Sequence, residues 1–376
     1  MTELPGIYVH LPYCRSRCGY CSFVVSTDDS SRAAYLRALD QESALLAREA
    51  AGALFDSIYL GGGTPSLLPA ADLDRLLVDL RTRFRVKADS EITLEANPDD
   101  VSVELAFAWK AAGVNRVSLG VQSLADRELT AVGRRHDAQR ALEAIAELQA
   151  ASLSLSADLI LGLPFQTAES FRANVGRLAG IGIDHLSIYL LEWDKSRQIE
   201  EDRRLRPERY LSEDAQADLW LEMGETLAGW GLEHYEISNW ARPGRAARHN
   251  VKYWKRTPTL GLGVSSHELW EGRRRGNVAT IPAYIAALEE GRRPLALDRP
   301  IDREEAAREK VFLGLRLAEG VPVAEIEGLL RDGRDPRLAE DYAAWREDGL
   351  LVETQGRVRF SQRGFLVSNE VLCRFV

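Results

Sequence analysis

Tyr8-Val9-His10-Leu11-Pro12-Tyr13-Cys14-Arg15-Ser16-Arg17-Cys18-Gly19-Tyr20-Cys21 is a short β-rich run that stops at a proline and passes directly into three cysteines spaced C-x3-C-x2-C. Three thiolates can hold three irons of a [4Fe–4S] cluster and leave the fourth iron open to an outside ligand, whereas an electron-transfer cluster normally takes four protein thiolates. A structural zinc would also require a fourth protein ligand, for which the sequence offers His10 on the preceding strand. Three cysteines this close are too clustered and too odd in number for a disulfide framework, and they fit a reducing compartment. The fourth, Cys373, lies in an apolar stretch and reads as a buried free thiol.

Outward from this loop the chain alternates short β-rich runs with longer amphipathic stretches, the pattern of repeated βα units around a parallel sheet. The strand-like runs are 7–10, 57–60, 91–95, 116–121, 156–161, 186–191 and 235–238. Helical periodicity fills 33–50, 70–84, 103–112, 138–150, 168–178 and 213–230 between them. Six or so units predict an α/β fold with a partial (β/α)6-type barrel over residues 1–240. Residues 241–300 read as an irregular, arginine- and glycine-rich connecting segment. Residues 301–376 read as a smaller helical module: helices at 302–317, 323–330 and 338–348, and a hairpin of 350–353 with 357–361, suggest a winged helix.

The chain has 376 residues, 45% of them hydrophobic, enough for one large domain with an appendage. Neither a signal peptide nor an apolar stretch of membrane-spanning length is expected, which places the protein in the cytosol, with membranes reached only through partners. A net charge of −9 argues against wrapping nucleic acid. Basic clusters do occur at Arg242, Arg245, Arg248, Lys252, Lys255 and Arg256, and again at Arg273 to Arg275. Runs of this kind ordinarily mark a solvated face.

Polar residues fall where a parallel barrel builds its active site, at the C-terminal ends of the strands. Gly61-Gly62-Gly63-Thr64-Pro65 follows the second run, and glycines there let the backbone approach a ligand. Glu95, Gln122, Arg134 and Asp158 come from successive units. Together they offer an anion for an ammonium, a cation for a carboxylate and acceptors for hydroxyls.

The cysteine spacing, with aromatic Tyr20 before the last cysteine, resembles the radical SAM superfamily. That resemblance implies that the open iron binds the amino and carboxylate groups of S-adenosylmethionine, which one electron cleaves to a 5′-deoxyadenosyl radical. It also implies that Cys14, Cys18 and Cys21 hold the cluster. It assigns Tyr8, Gly62, Gly63 and Thr64 to the methionyl end, Glu95 to the ammonium, Arg134 to the carboxylate, and Gln122 with Asp158 to the ribose.

Beyond the cysteines, Leu119-Gly120-Val121-Gln122-Ser123, Asp158-Leu159-Ile160-Leu161-Gly162-Leu163-Pro164 and the C-terminal module resemble the group containing oxygen-independent coproporphyrinogen oxidase and the haem chaperone HemW. The oxidases carry a further cysteine two residues past the triad and a long N-terminal extension. Here Phe23 stands at that position, and thirteen residues precede Cys14. The segment His249-Asn250-Val251-Lys252-Tyr253-Trp254 resembles the HNxxYW motif of the chaperone branch.

The chaperone resemblance implies haem as cargo, with His249 as axial ligand, Tyr253 and Trp254 against the macrocycle, and Arg248 and Lys252 near the propionates. It also implies delivery to haem-accepting proteins such as membrane respiratory enzymes. For a histidine in an arginine-rich loop, the bland reading is a hydrogen-bonding or surface residue. Two other readings stay open: a radical enzyme, either an oxidase or a methyltransferase on a tetrapyrrole, and a winged-helix regulator that binds nucleic acid.

Overall fold

The computed structural model describes residues 3–332 and 336–375. Six parallel strands alternate with helices along the first half of the chain. They are β1 (Gly6–Leu11), β2 (Leu54–Gly62), β3 (Arg85–Ala96), β4 (Arg116–Gln122), β5 (Ser154–Leu161) and β6 (His185–Leu190). The helices of this part are α1 (Arg32–Glu49), α2 (Ala70–Arg83), α3 (Val103–Ala112), α4 (Asp126–Ala131), α5 (Ala138–Ala150), α6 (Ala168–Gly180), α7 (Arg197–Leu205) and α8 (Glu213–Gly229). Side-chain hydroxyls and carboxylates start several of them: Ser102 accepts from the Leu105 N–H, Asp137 from Arg140, and Thr167 forms a reciprocal box with Ser170.

The short strands β7 (Glu233–Glu236) and β8 (Asn239–Ala241) pair antiparallel beyond β6. After α9 (Arg248–Trp254) the chain returns to the opposite edge. There β9 (Thr259–Leu262) pairs parallel with β1, Gly6 against Thr259. The strands β10 (His267–Trp270), β11 (Arg273–Asn277) and, after α10 (Ile281–Glu289), β12 (Leu295–Pro300) continue the sheet antiparallel. The result is one sheet of twelve strands, ordered β12-β11-β10-β9-β1-β2-β3-β4-β5-β6-β8-β7, open at both ends. The stretch expected to be irregular between 241 and 300 therefore contributes four strands to the sheet, together with α9 and α10. Its arginines carry no strand signal because they are held by cross-strand carboxylates: Arg273 and Arg275 meet Asp298, and Arg275 and Arg293 meet buried Glu268.

Parallel strands covered on both faces usually read as continuous apolar runs, but here the period-two alternation is strict. Ile7, Val9, Ile58, Leu60, Ile92, Leu94, Val117, Leu119, Ala157 and Leu159 face outward into one continuous core with the helices. The inner face carries Tyr8, His10, Ser57, Tyr59, Glu95, Arg116, Ser118, Asp158, His185 and Ser187, so the barrel is lined with polar groups. A lumen of this kind is built for a ligand.

The C-terminal module contains α11 (Arg303–Gly314), β13 (Val321–Pro322), α12 (Val323–Asp332), α13 (Pro336–Glu347), β14 (Leu351–Thr354), β15 (Arg357–Phe360), α14 (Gln362–Leu366) and α15 (Ser368–Leu372). The helices α11 to α13 and the antiparallel order β13-β15-β14 match the expected three helices and hairpin, with the short α14 and α15 following them. Its Phe365 packs against His234 and Trp220 of the barrel. Cys373, expected to be buried, is exposed, and its thiol donates to the Glu370 carbonyl at 3.1 Å.

Candidate functional site

Pro12 ends β1, and the three half-buried cysteines follow on the loop above it. The loop is pinned by its backbone: the Cys14 N–H donates to Ser26 at 2.9 Å, Gly19 to Val132 at 3.0 Å, and Cys21 back to Cys18 at 3.1 Å. On its far side the Ser196 hydroxyl, just ahead of α7, donates to the Gly19 carbonyl.

The glycine segment explains how the loop is seated. Gly63 donates to the Leu11 carbonyl and Thr64 to the Tyr13 carbonyl, both at 2.8 Å, which laces the GGGTP turn onto the start of the cysteine loop. A Cβ at Gly63 would lie 2.6 Å from the Pro12 carbonyl carbon, which is backbone that cannot yield. Gly62 has φ +108°, a conformation side chains rarely adopt, and its N–H points at Glu95.

A chain of donors then links the thiols. Arg134 Nη2 donates to Asn97 Oδ1 and to the Gly120 carbonyl, each at 2.6 Å, and Nη1 reaches Cys18 Sγ at 3.6 Å and the Tyr20 hydroxyl at 3.4 Å. Asn97 Nδ2 donates to Thr64 Oγ1 at 3.1 Å, and the Thr64 hydroxyl to Cys14 Sγ at 3.3 Å. Burial pushes the Cys14 thiol up, the Thr64 hydroxyl opposes that, and the neighbouring Cys21 and Cys18 add to it. Cys21 is pushed up by burial as well.

This donor set suits a cluster better than a single ion. His10, the candidate fourth zinc ligand, has both ring nitrogens engaged, Nδ1 with the Tyr8 hydroxyl and Nε2 with the Val24 carbonyl, each at 3.0 Å. Beside the cysteines, Arg134 Nε is buried and lacks a hydrogen-bond partner, and Nη1 makes only long contacts. Nε is thus a free donor for a carboxylate.

Glu95, at the end of β3, accepts from the Tyr59 hydroxyl at 2.8 Å and from Gly62 N–H at 3.0 Å. Burial pushes its carboxyl up to about 7, while those two donors and the Arg116 guanidinium hold it down. Asp158 is raised by burial too, and three serine hydroxyls surround it, Ser187 at 2.7 Å, Ser118 at 2.9 Å and Ser156 at 3.4 Å. Gln122 ends β4 at φ +65°, where a shift in the ladder turns it away from the regular strand, and its amide lies beside Gly120 with Arg134 and Asn97. Tyr8 stacks on Tyr59 at 6.1 Å. Of the expected residues, Arg134 and Thr64 are thus joined to Cys18 and Cys14, Gly62 to Glu95, and Gln122 lies beside Arg134, while Tyr8 and Asp158 lie further down within β1 and β5. Asn97 and Tyr59 belong with them and were missed; their only signal is position, Asn97 just past the end of β3 and Tyr59 on the inner face of β2.

The HNxxYW segment lies elsewhere. It forms α9 beneath the opposite, N-terminal end of the strands. His249 is fully buried, its Nδ1 bonded to Ser57 Oγ at 2.9 Å and its Nε2 to the Tyr253 hydroxyl at 3.0 Å, and burial pushes its imidazole down to about 3. As folded, it has no nitrogen free for an iron. Lys252 is equally buried and is paired with Asp56 at 2.6 Å, so neither residue meets the role expected of it toward haem. Trp254 faces away, under the Arg316 guanidinium of the C-terminal module at 4.3 Å. Arg256 and Arg274, from the two basic clusters, both pair with Glu309.

The radical SAM superfamily model matches residues 8–178, and the HemN C-terminal domain model matches residues 301–367. The heme chaperone HemW of Bacillus subtilis is 31% identical over 381 residues, covering 99% of each chain. That of Escherichia coli is 31% identical over all of both chains. The chain belongs to the HemW family of radical SAM proteins. Among solved structures, the radical SAM enzyme coproporphyrinogen III oxidase (HemN) of Escherichia coli superposes with a TM-score of 0.84 at 25% identity, covering 99% of this chain and 90% of that one. Membership of this radical SAM family implies a [4Fe–4S] cluster and S-adenosylmethionine as cofactors.

Proposed function

We propose that this protein is a haem chaperone that holds a [4Fe–4S] cluster and S-adenosylmethionine at the barrel mouth and passes haem to other proteins. The observation that carries the reading is the likeness to HemW chaperones along the whole chain, barrel and C-terminal module alike. Cys14, Cys18 and Cys21 would hold three irons, Arg134 and Glu95 the carboxylate and ammonium of the methionyl group, and Gln122 with Asp158 the ribose. When bound, cluster and cofactor together supply one-electron cleavage of a sulfonium. The chain's own contribution is to orient the methionyl group between a fixed cation and a fixed anion, and to keep thiolates in reach of the Thr64 and Arg134 donors.

Haem is best placed at the same mouth. Phe23 on the cysteine loop is 65% exposed, and Tyr189 and Leu190 at the end of β6 and Trp193 on the segment after it, which Ser196 ties to the loop, are exposed too. Flat apolar side chains of this kind suit a macrocycle face. Recipients would include membrane respiratory enzymes, met through protein contact; among the described residues no helix is long and apolar enough to cross a membrane.

The test is anaerobic cluster reconstitution, haemin titration followed by absorbance, and an assay of coproporphyrinogen III conversion on the same sample. Saturable haem binding without decarboxylation is expected. Robust decarboxylation would make the protein an oxidase instead.

A further inference from the structure

The α9 motif and the cofactor rim lie at opposite ends of the barrel, yet three side chains join them through the lumen. Glu91, midway along β3 and level with Ser57, accepts from the backbone N–H groups of Arg248 and His249 at 2.9 and 2.8 Å and fixes the start of α9. The His249 ring then lies against the ring of Tyr59, 5.3 Å between centroids and tilted by 32°, while Ser57 and Tyr253 hold its two nitrogens. Tyr59 in turn is gripped between His249 below and Tyr8 beside it, and its hydroxyl donates to Glu95 Oε1. The other carboxylate oxygen, Oε2, takes the Gly62 N–H.

We propose that α9 is the floor of the S-adenosylmethionine pocket, and that Tyr59, seated on His249, is the positioning residue that aims the Glu95 carboxylate at the methionyl ammonium. The proposal rests on Glu95 as the ammonium's partner. It gives the HNxxYW helix a part in the cofactor site through packing, with His249 acting as a wedge inside the fold. The coupling runs on into the C-terminal module, because Trp254 on the same helix lies under Arg316. A ligand or partner that moved that module would tilt the floor on which Tyr59 stands.

A phenol ring that only filled space would tolerate loss of its hydroxyl. Tyr59→Phe keeps the stack on Tyr8 and His249 and removes one hydrogen bond to a charged acceptor, which is worth about tenfold in affinity. The groups facing Glu95 are Tyr59, the Gly62 N–H, Asp158 and Arg116, with Tyr8 and Tyr253 further off. Of these, the Tyr59 hydroxyl is the side-chain donor bonded to it. Removing that donor pushes the carboxyl further up, so the acid limb of cofactor binding moves to higher pH.

The experiment measures S-adenosylmethionine affinity by equilibrium dialysis from pH 6 to 9 on cluster-loaded wild type, Tyr59→Phe and His249→Ala, with haemin titrations on the same preparations. Amide hydrogen exchange at Gly62 is followed in the cluster-free proteins. Expected are about tenfold weaker cofactor binding and an upward-shifted acid limb in Tyr59→Phe, faster Gly62 exchange, and haemin affinity unchanged. His249→Ala should weaken the cofactor in the same direction; where that variant fails to fold, Tyr59→Phe decides. Wild-type cofactor affinity and pH profile in Tyr59→Phe overturn the proposal, as does a folded His249→Ala that loses haem alone. A wild type that binds haem but no cofactor overturns this proposal alone, one that binds neither sinks the functional reading with it, and unchanged Gly62 exchange in Tyr59→Phe overturns the Tyr59–Glu95 coupling in either case.

Discussion

Arg134 and Asn97 meet at 2.6 Å, and through that contact one arginine is connected to two of the three cysteines: directly to Cys18, and by way of Asn97 and Thr64 to Cys14. Asn97→Ala cuts this chain at its centre without touching a thiol. Loss of two hydrogen bonds around a charged group predicts a cost of about 2–3 kcal/mol in holding the site together. S-adenosylmethionine affinity after reconstitution is expected to fall by about 30-fold or more, with iron content lowered less. Unchanged affinity would mean that Arg134 is held by Gly120 alone.

Each cysteine of the triad should be indispensable, and Cys373 dispensable. Serine at Cys14, Cys18 or Cys21 should abolish retention of a four-iron cluster, read as iron and sulfide per chain and as visible absorbance. Cys373→Ser, at an exposed site far along the chain, should match wild type in both.

Glycine is required at two neighbouring positions for different reasons. Gly62→Ala forces a side chain into φ +108° and places a Cβ 2.5 Å from the His10 ring, so a stability loss of about 1–3 kcal/mol is expected, read as a lowered thermal midpoint. Gly63→Ala presses on the Pro12 backbone and should displace the cysteine loop itself. It is therefore the one expected to lower iron incorporation more than its effect on melting would suggest.

Acid should destabilise the fold ahead of ordinary carboxylate titration. His136 and His234 are held down to about 4 and His249 to about 3, and His10 and His185 are lowered too, chiefly by burial. An unfolded histidine titrates near 6.5. Below that pH the unfolded chain takes up protons that the folded one refuses, so stability is full above about 6.5 and falls as pH drops toward these lowered values. His234 offers a clean test. Its ring lies 4.6 Å from Trp240 and 4.7 Å from Phe365, so His234→Phe fits the cage. The variant should melt higher than wild type at pH 5, with the gap narrowing by pH 8.

The sequence made the cofactor end of the barrel legible because its parts are local. The cysteine spacing, GGGTP after β2, and acids at the ends of β3 and β5 are each visible within one βα unit. Asn97 was invisible because an asparagine before a proline is common in turns, and its role appears only when Arg134, thirty-seven residues on, folds back against it. Strands β9 to β12 escaped because Arg273-Arg274-Arg275-Gly276-Asn277 has neither alternation nor β-formers; it is a strand because Asp298, Glu268 and Glu309 lie across from its arginines. His249 was misplaced for a related reason. Its neighbours are charged and suggest a surface, and only the return of the chain to β1 buries it.

That return has a consequence for how the protein is made. The strand that leads into the cysteine loop pairs on one side with β2, available early in synthesis, and on the other with β9, whose partner residues 259–262 are translated some 250 positions after Gly6. Until then β1 remains an unpaired edge on a growing ribosomal chain, and a pairing so distant in sequence is slow to form. A fragment cut at residue 240 keeps every cysteine of the triad but leaves that edge bare, and the expected product is an aggregate.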